Sequence, residues 1–267
     1  MAYLTVEDNK QVYFEDYGSG DTAIVLIHAW GMSSRTWDSV LLPLLDAGHR
    51  VITIDHRGCG RSDHDFADLS ISAIASDVAK LVEDRGLNKV VLNGWSLGGA
   101  VATQAAHLLG DRCAGMVLTA GATPVYTQKP DLDLGGAADD VRGIVAAMNA
   151  DRVNFLSQLS HAVCAKPVSS EMTDWMSDIF IASSARSSST LGELADIDQR
   201  EILLDLNVPI LSYVCGQDGF VAPGIARWVV ENHPRAEGVE LPDSGHAPFI
   251  EEPEAYMDAL KQFLAGL

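Results

Sequence analysis

Apolar runs of strand length alternate with stretches of helical periodicity along most of this chain. That alternation predicts an α/β protein built on a parallel sheet with helices on both faces. Two further observations shape the prediction. A Gly-Trp-Ser-Leu-Gly-Gly turn joins one strand-like run to a helix-like one, and the alternation lapses between residues 122 and 205 before it resumes.

Each element follows from its residues. Gln11 to Tyr17 alternates as a strand and stops at Gly18-Ser19-Gly20. Ala23 to His28 (AIVLIH) is a continuous apolar run, the pattern of a strand covered on both sides. Thr36 to Gly48 reads as a helix with a glycine stop, and Val51 to Ile54 as the next strand. Ser70 is placed to cap a helix whose Ile71, Ile74, Ala75, Val78, Leu81 and Val82 recur at helical spacing up to Gly86. Lys89 to Asn93 is a strand, Ser96 to Leu109 a helix and Gly115 to Thr119 a strand.

From Ala122 to Asp205 only helical pieces are expected, carrying Met148, Phe155, Leu156, Trp175, Met176, Ile179 and Phe180. Ser183 to Ser189 reads as an exposed turn within them. Pro209 to Val214 and Gly238 to Leu241 then restore the strands, with helices at Pro223 to His233 and Glu254 to Leu264. The expected division is a core of residues 1–121 and 206–267 and a helical lid of residues 122–205.

The chain has 267 residues, with 18 basic against 37 acidic side chains and a net charge of −19. That length buries a sizeable core without help from disulfides or metals. The acidity disfavours a nucleic-acid backbone and an anionic lipid surface, both of which need clustered Lys and Arg. No apolar run approaches the length of a membrane span. Residues 1–8 lack the basic start and apolar stretch of a secretory leader. The four cysteines, Cys59, Cys113, Cys164 and Cys215, are far apart and show no zinc spacing. Free thiols in a reducing cytoplasm are expected. Cys59 and Cys215 fall near strand ends, close to where a site would lie.

Gly94-Trp95-Ser96-Leu97-Gly98 is a G-x-S-x-G turn set between strand and helix, the context that gives this short motif its meaning. The turn is so sharp that the serine takes strained backbone angles, and small residues two before and two after it avoid clashes. Ser96 is thus the candidate nucleophile, raised above the sheet at a helix N-terminus. The N–H of Leu97 would face a developing oxyanion.

A serine needs a base. Of eight histidines, His246 stands out in Pro242-Asp243-Ser244-Gly245-His246-Ala247-Pro248, between the last strand and the last helix. That loop belongs at the carboxyl edge of the sheet, where ligands bind in such folds. His28 reads as a structural hydrogen-bonding residue, and His56 and His64 as solvated or loop-bracing. His49, His107, His161 and His233 read as structural, with His161 the nearest of them to a substrate. The acid should follow the strand 209–214, where Asp218 is the carboxylate; Asp243 reads as a loop brace. The order Ser96, Asp218, His246 fits this architecture.

With these pieces in place the chain resembles the α/β-hydrolase superfamily, and within it the cofactor-free haloperoxidase/perhydrolase and aryl-esterase group. The resemblance rests on His28-Ala29-Trp30, Asp55-His56-Arg57-Gly58-Cys59-Gly60-Arg61-Ser62, the Ser96 turn, Thr123-Pro124 with Gln128-Lys129-Pro130-Asp131, and Ser244-Gly245-His246. It implies an eight-stranded, mostly parallel sheet, Ser96 and His246 as nucleophile and base, the N–H groups of Trp30 and Leu97 as oxyanion hole, and neither metal nor organic cofactor. Two positions depart from the pattern. Ala29 stands where the oxyanion loop has glycine. Gly219 holds the usual acid slot, with Asp218 one residue early, so either Asp218 orients His246, or the acid comes from elsewhere, or Ser96 and His246 work without one.

The expected reaction is hydrolysis of an ester, lactone or similar activated carbonyl of a small apolar or aromatic molecule. Trp95, His161, Trp175 and Met176 are the candidate pocket residues. Two alternatives stay open. One is a cofactor-independent ring-cleaving dioxygenase of hydroxyquinolone-type substrates with His246 as base. The other is a non-catalytic small-molecule-binding member.

Overall fold

In the computed structural model, which describes residues 2–20 and 22–267, the chain opens with an antiparallel hairpin of β1 (Ala2–Glu7) and β2 (Lys10–Tyr17). Asn9 turns it in the left-handed region at φ 63°. β1 escaped the sequence reading because it is an edge strand with a single fully buried side chain, Leu4.

β3 (Thr22–Ile27) leads through a 3-10 turn and α1 (Asp38–Asp46) to β4 (Arg50–Ile54). α2 (Ile71–Asp84) follows, capped as expected by Ser70, whose hydroxyl accepts the Ala73 N–H at 3.1 Å. Then come β5 (Lys89–Trp95), α3 (Leu97–Leu109) and β6 (Cys113–Thr119). The stretch between β6 and the next strand contains α4 (Ala138–Ala150), α5 (Arg152–Ala162), α6 (Ser170–Ala182), α7 (Ser188–Glu193) and α8 (Arg200–Asp205). β7 (Ile210–Cys215), α9 (Pro223–Asn232), β8 (Ala236–Leu241), α10 (Pro248–Glu251) and α11 (Pro253–Ala265) complete the chain.

Among the described residues the sheet has eight strands in the order β1-β2-β4-β3-β5-β6-β7-β8, parallel from β4 through β8. The connection from β3 to β4 runs toward one edge, while those from β4 to β5, β5 to β6 and β7 to β8 run toward the other. Right-handed crossovers therefore place α1 on one face and α2, α3 and α9 on the opposite one. α2 packs on α3, and α1 packs on α10 and α11. Neighbouring strands β3 and β5 send their chains in opposite directions from their carboxyl ends. That divergence opens a crevice, the place where open α/β sheets bind ligands.

The loop Asp55 to Ser62 is a sealed polar knot rather than a solvated one. Asp55 accepts the backbone N–H of Ser34 at 2.6 Å and of Arg61 at 2.8 Å. Arg57 forms a two-pronged, buried ion pair with Asp77 at 2.6 and 2.7 Å. His56 lies inside it, 2% exposed, with its ring stacked on His28 at 3.7 Å between centroids; of its two readings the solvated one is overturned and the loop-bracing one remains. His64 does remain exposed.

Candidate active site

β5 ends at Trp95 and α3 begins at Leu97, so the whole turn falls on Ser96. Its backbone sits at φ 56°, ψ −123°, a region that residues with a side chain rarely occupy. Three hydrogen bonds hold it there. Ser96 N–H donates to Thr119 O at 3.0 Å, and Ser96 O accepts from Gly99 N–H and Ala122 N–H, both at 2.8 Å. The flanking glycines are steric necessities. A Cβ on Gly94 would run into the Gly98 carbonyl, and a Cβ on Gly98 into the Ile27 carbonyl.

His246 lies in the loop after β8. Its N–H donates to Val163 O at 2.9 Å, and its carbonyl accepts the Trp95 indole N–H at 2.7 Å. Its ring Nδ1 donates to Asp218 Oδ2 at 2.9 Å. The other Asp218 oxygen accepts the N–H groups of Phe220 (2.8 Å) and Val221 (3.0 Å). The Asp218 side chain is 1% exposed. Sequence counting put this carboxylate one residue early; the turn that its Oδ1 closes on Phe220 and Val221 swings Oδ2 onto the histidine. Asp243 is exposed, and the loop is braced by other groups. Gln217 N–H donates to Ser244 O at 2.9 Å, and Glu251 accepts Ala165 and Lys166 N–H at 2.7 and 2.9 Å and Ala247 N–H at 3.3 Å.

The loop after β3 is fixed through His28, which is fully buried. Its Nδ1–H donates to Ala29 O at 2.7 Å and its Nε2 accepts the His56 N–H at 2.9 Å. Burial pushes the His28 pKa below the usual imidazole range, and burial beside His28 pushes His56 well below it, so both rings are neutral. With its carbonyl held by His28, the 29–30 peptide presents the Trp30 N–H in the opposite direction. The Trp30 indole N–H donates to Ser187 O at 2.8 Å. Ser183 and Ser187 are buried, correcting the expectation of an exposed serine-rich turn. Ser183 instead accepts and is wrapped by Arg152, whose Nη2 donates to Ser183 O and Oγ at 2.8 Å each.

Ser96, His246, Trp30 and Trp95 line one narrow cavity of about 100 Å³. Most of its wall comes from the segment between β6 and β7: Tyr126, Val141, Ile144, Phe155, Leu159, Val163, Phe180, Leu191 and Leu194, with Phe220 beside them. Three sequence candidates lie elsewhere. Phe155 and Leu159 share one face of α5, but His161 lies two residues further round and is exposed, its Nδ1 on Ser157 O at 2.8 Å. Trp175 lies about 140° round α6 from Phe180 and lines a separate groove with Phe249 and Ile250. Met176 is buried in the core. Tyr126 and Phe220 went unnoticed in the sequence. Phe220 had a signal, two residues after Asp218, and its ring lies 4.9 Å from that of His246.

Burial pushes the Cys59 thiol up to about 12 and raises that of Cys215, so neither is a ready thiolate. Among the described residues no cluster of three or more His, Cys, Asp or Glu side chains is placed to hold a metal. No helix among them is long and apolar enough to cross a membrane.

A model of the alpha/beta hydrolase family matches residues 24–259. The chain belongs to that family. A Bacillus subtilis relative called AB hydrolase superfamily protein YisY is 28% identical over 264 residues, covering 98% of each chain. An esterase from Exiguobacterium antarcticum superposes with a TM-score of 0.94 at 25% identity, over 98% of both chains. A bromoperoxidase from Bacillus anthracis superposes with a TM-score of 0.93 at 26% identity, over 99% of both. This α/β hydrolase is therefore an enzyme of the hydrolase fold. Its likeness extends to the haloperoxidase and esterase branches that the sequence motifs resemble.

Proposed function

We propose that this α/β hydrolase cleaves an ester, lactone or similarly activated carbonyl of a small, neutral, apolar or aromatic substrate through an acyl-enzyme on Ser96. The observation that carries the reading is the Asp218–His246 bond at 2.9 Å, in the same wall as the strained Ser96. Asp218 holds the imidazole with its proton on Nδ1, leaving the Nε2 lone pair free. His246 Nε2 takes the Ser96 proton as Oγ attacks the carbonyl carbon. Negative charge builds on the carbonyl oxygen, between the N–H groups of Trp30 and Leu97. Leu97 is the first residue of α3, where N–H groups have no partner within the helix. Collapse breaks the bond to the alcohol oxygen, which receives the proton from His246. Water then attacks the acyl carbon, giving its proton to His246, and Ser96 leaves with that proton.

In this reading residues 122–205 act as the lid, supplying the apolar wall and excluding water. The enzyme works in the cytoplasm on a small molecule, consistent with its four unpaired thiols. A ring-cleaving dioxygenase would use the Asp218-oriented His246 equally well but would have no need of a nucleophile held on a strained turn, so the Ser96 backbone favours acyl transfer. The test is labelling with a fluorophosphonate together with turnover of an ester and lactone panel in an oxygen electrode. Stoichiometric modification of Ser96, hydrolysis without oxygen uptake, and loss of both in Ser96→Ala are expected. Oxygen uptake with activity surviving in Ser96→Ala would overturn the reading.

A further inference from the structure

Apolar pockets orient their ligands through a few fixed polar groups. In this cavity most of those groups are already committed. Ser96 and His246 serve the chemistry, and the indole N–H groups of Trp30 and Trp95 are spent on Ser187 O and His246 O. The phenol of Tyr126 remains. Among the described residues it has no hydrogen-bond partner, although Tyr126 lines the cavity.

The Tyr126 backbone is anchored on both sides. Pro124 O accepts Gln199 N–H at 2.8 Å, the Thr127 hydroxyl donates to Ala195 O at 2.7 Å, and Gln128 N–H donates to Gly136 O at 2.9 Å. Gly135 lies so close that a Cβ there would overlap the Tyr126 carbonyl. Burial, with the Asp218 charge as a smaller contribution, pushes the phenol up to about 12, so it stays a donor. No Lys or Arg is among the described residues lining the cavity, so a substrate carboxylate would find no countercharge.

We propose that the Tyr126 hydroxyl is the specificity-determining donor of this cavity, reading one oxygen acceptor on an otherwise neutral, apolar chain of the substrate. The proposal rests on the acyl-transfer reading and deepens it. A donor on an anchored segment discriminates because a bound apolar substrate that lacks the acceptor displaces water from it and leaves it unpaired.

The test uses p-nitrophenyl alkanoates of one length, either plain or carrying an oxo group at successive carbons, and an ω-carboxylate counterpart with its methyl ester. With the unsubstituted enzyme, kcat/KM should peak at one oxo position, and Tyr126→Phe should lower the ratio of that ester to the plain one about tenfold. The ω-carboxylate should be the poorest substrate in both. A second readout needs no turnover. In Ser96→Ala, quenching of indole fluorescence by the matching oxo-amide should weaken about tenfold when Tyr126→Phe is added. A flat oxo series, or a ratio and an oxo-amide affinity unchanged by Tyr126→Phe, would overturn the proposal, as would a carboxylate turned over as fast as its methyl ester. If the amides show the Tyr126 preference while no ester is hydrolysed, acyl transfer fails and the donor role stands.

Discussion

Asp218 binds His246 Nδ1 with one carboxylate oxygen at 2.9 Å and closes its own turn on Phe220 and Val221 with the other. The two oxygens thus do separable jobs, and a substitution can remove one while keeping the other. In Asp218→Asn the amide oxygen can still accept the two backbone N–H groups, while the NH₂ faces Nδ1 and forces the other tautomer. We expect kcat to fall by about 10³- to 10⁴-fold, as wrong-tautomer variants do, with the melting temperature shifted by only a few degrees. Steady-state kinetics beside thermal unfolding check this, and a loss below about tenfold would place the orienting acid elsewhere.

The elbow glycines carry a steric prediction. Gly98→Ala would drive a methyl into the Ile27 carbonyl, which is held in the sheet between β3 and its neighbours. Neither backbone can retreat, so destabilisation above about 4 kcal/mol is expected, in the range reserved for severe core disruption. Urea denaturation measures it. A midpoint close to that of the unsubstituted protein would show that the turn can relax.

The buried Arg57–Asp77 pair should be costly to halve. Removing the cation in Arg57→Ala leaves a carboxylate 3% exposed and unpaired, and truncations of this kind cost about 3–5 kcal/mol. Asp77→Asn in the Arg57→Ala background should recover part of the loss, because it removes the orphaned charge. Equilibrium unfolding of both variants tests the pair, and an equal or greater loss in the double variant would contradict it.

His28 and His56 predict how stability varies with acidity. Burial holds both below the ordinary imidazole value of about 6.5, so the unfolded chain binds more protons near and below that pH. Their contribution to stability is therefore fully present above about pH 6.5 and is lost as the pH drops toward the folded values, at no more than about 1.4 kcal/mol per pH unit for each ring. Replacing His56 by Phe, which keeps a stacking ring but cannot be protonated, should reduce the slope by about one proton. Denaturation midpoints between pH 5 and 8 give the comparison.

Glu251 ties the segment after α5 to the histidine loop through three backbone N–H groups. Glu251→Ala should free Val163 to Lys166 and let His246 drift, lowering kcat about tenfold. Amide hydrogen exchange over residues 163–166 should rise in parallel. Unchanged exchange would mean that the His246 N–H bond to Val163 O suffices alone.

The fold was legible because its signals are local. The apolar runs at 23–28 and 89–93, the Ser70 cap and the glycine stops act within a few residues of themselves. Ser96 was legible for the same reason, since the glycines at 94 and 98 are dictated by one turn. The cavity wall was not. Phe155, Leu159 and Phe180 face inward, and His161 and Trp175 face away, because of how α5 and α6 sit on the sheet; composition alone cannot say which side of a helix is occupied. Asp218 lay between these cases. Its position in the chain was visible, but the direction of its carboxylate depends on the turn at Phe220 and Val221. The solvated reading of His56 fails because polar neighbours in a sequence suggest water, whereas here Asp55 is satisfied by the Ser34 and Arg61 N–H groups and Arg57 by Asp77, inside the protein.

The walls of the cavity and its reactive groups come from different stretches of chain. Residues 126–194 shape most of what surrounds a ligand, while Ser96, Asp218 and His246 stand on loops of the sheet. The two are joined at several seams: the Trp30 indole on Ser187 O, the His246 N–H on Val163 O, Ser184 N–H on Gly58 O, the Thr190 hydroxyl on Leu69 O, and Glu251 under the Ala165 and Lys166 N–H groups. An interchangeable hood thus has a definite specification for protein engineers: a foreign segment that reproduces the donors and acceptors at these seams would redirect what the enzyme accepts without disturbing how it reacts.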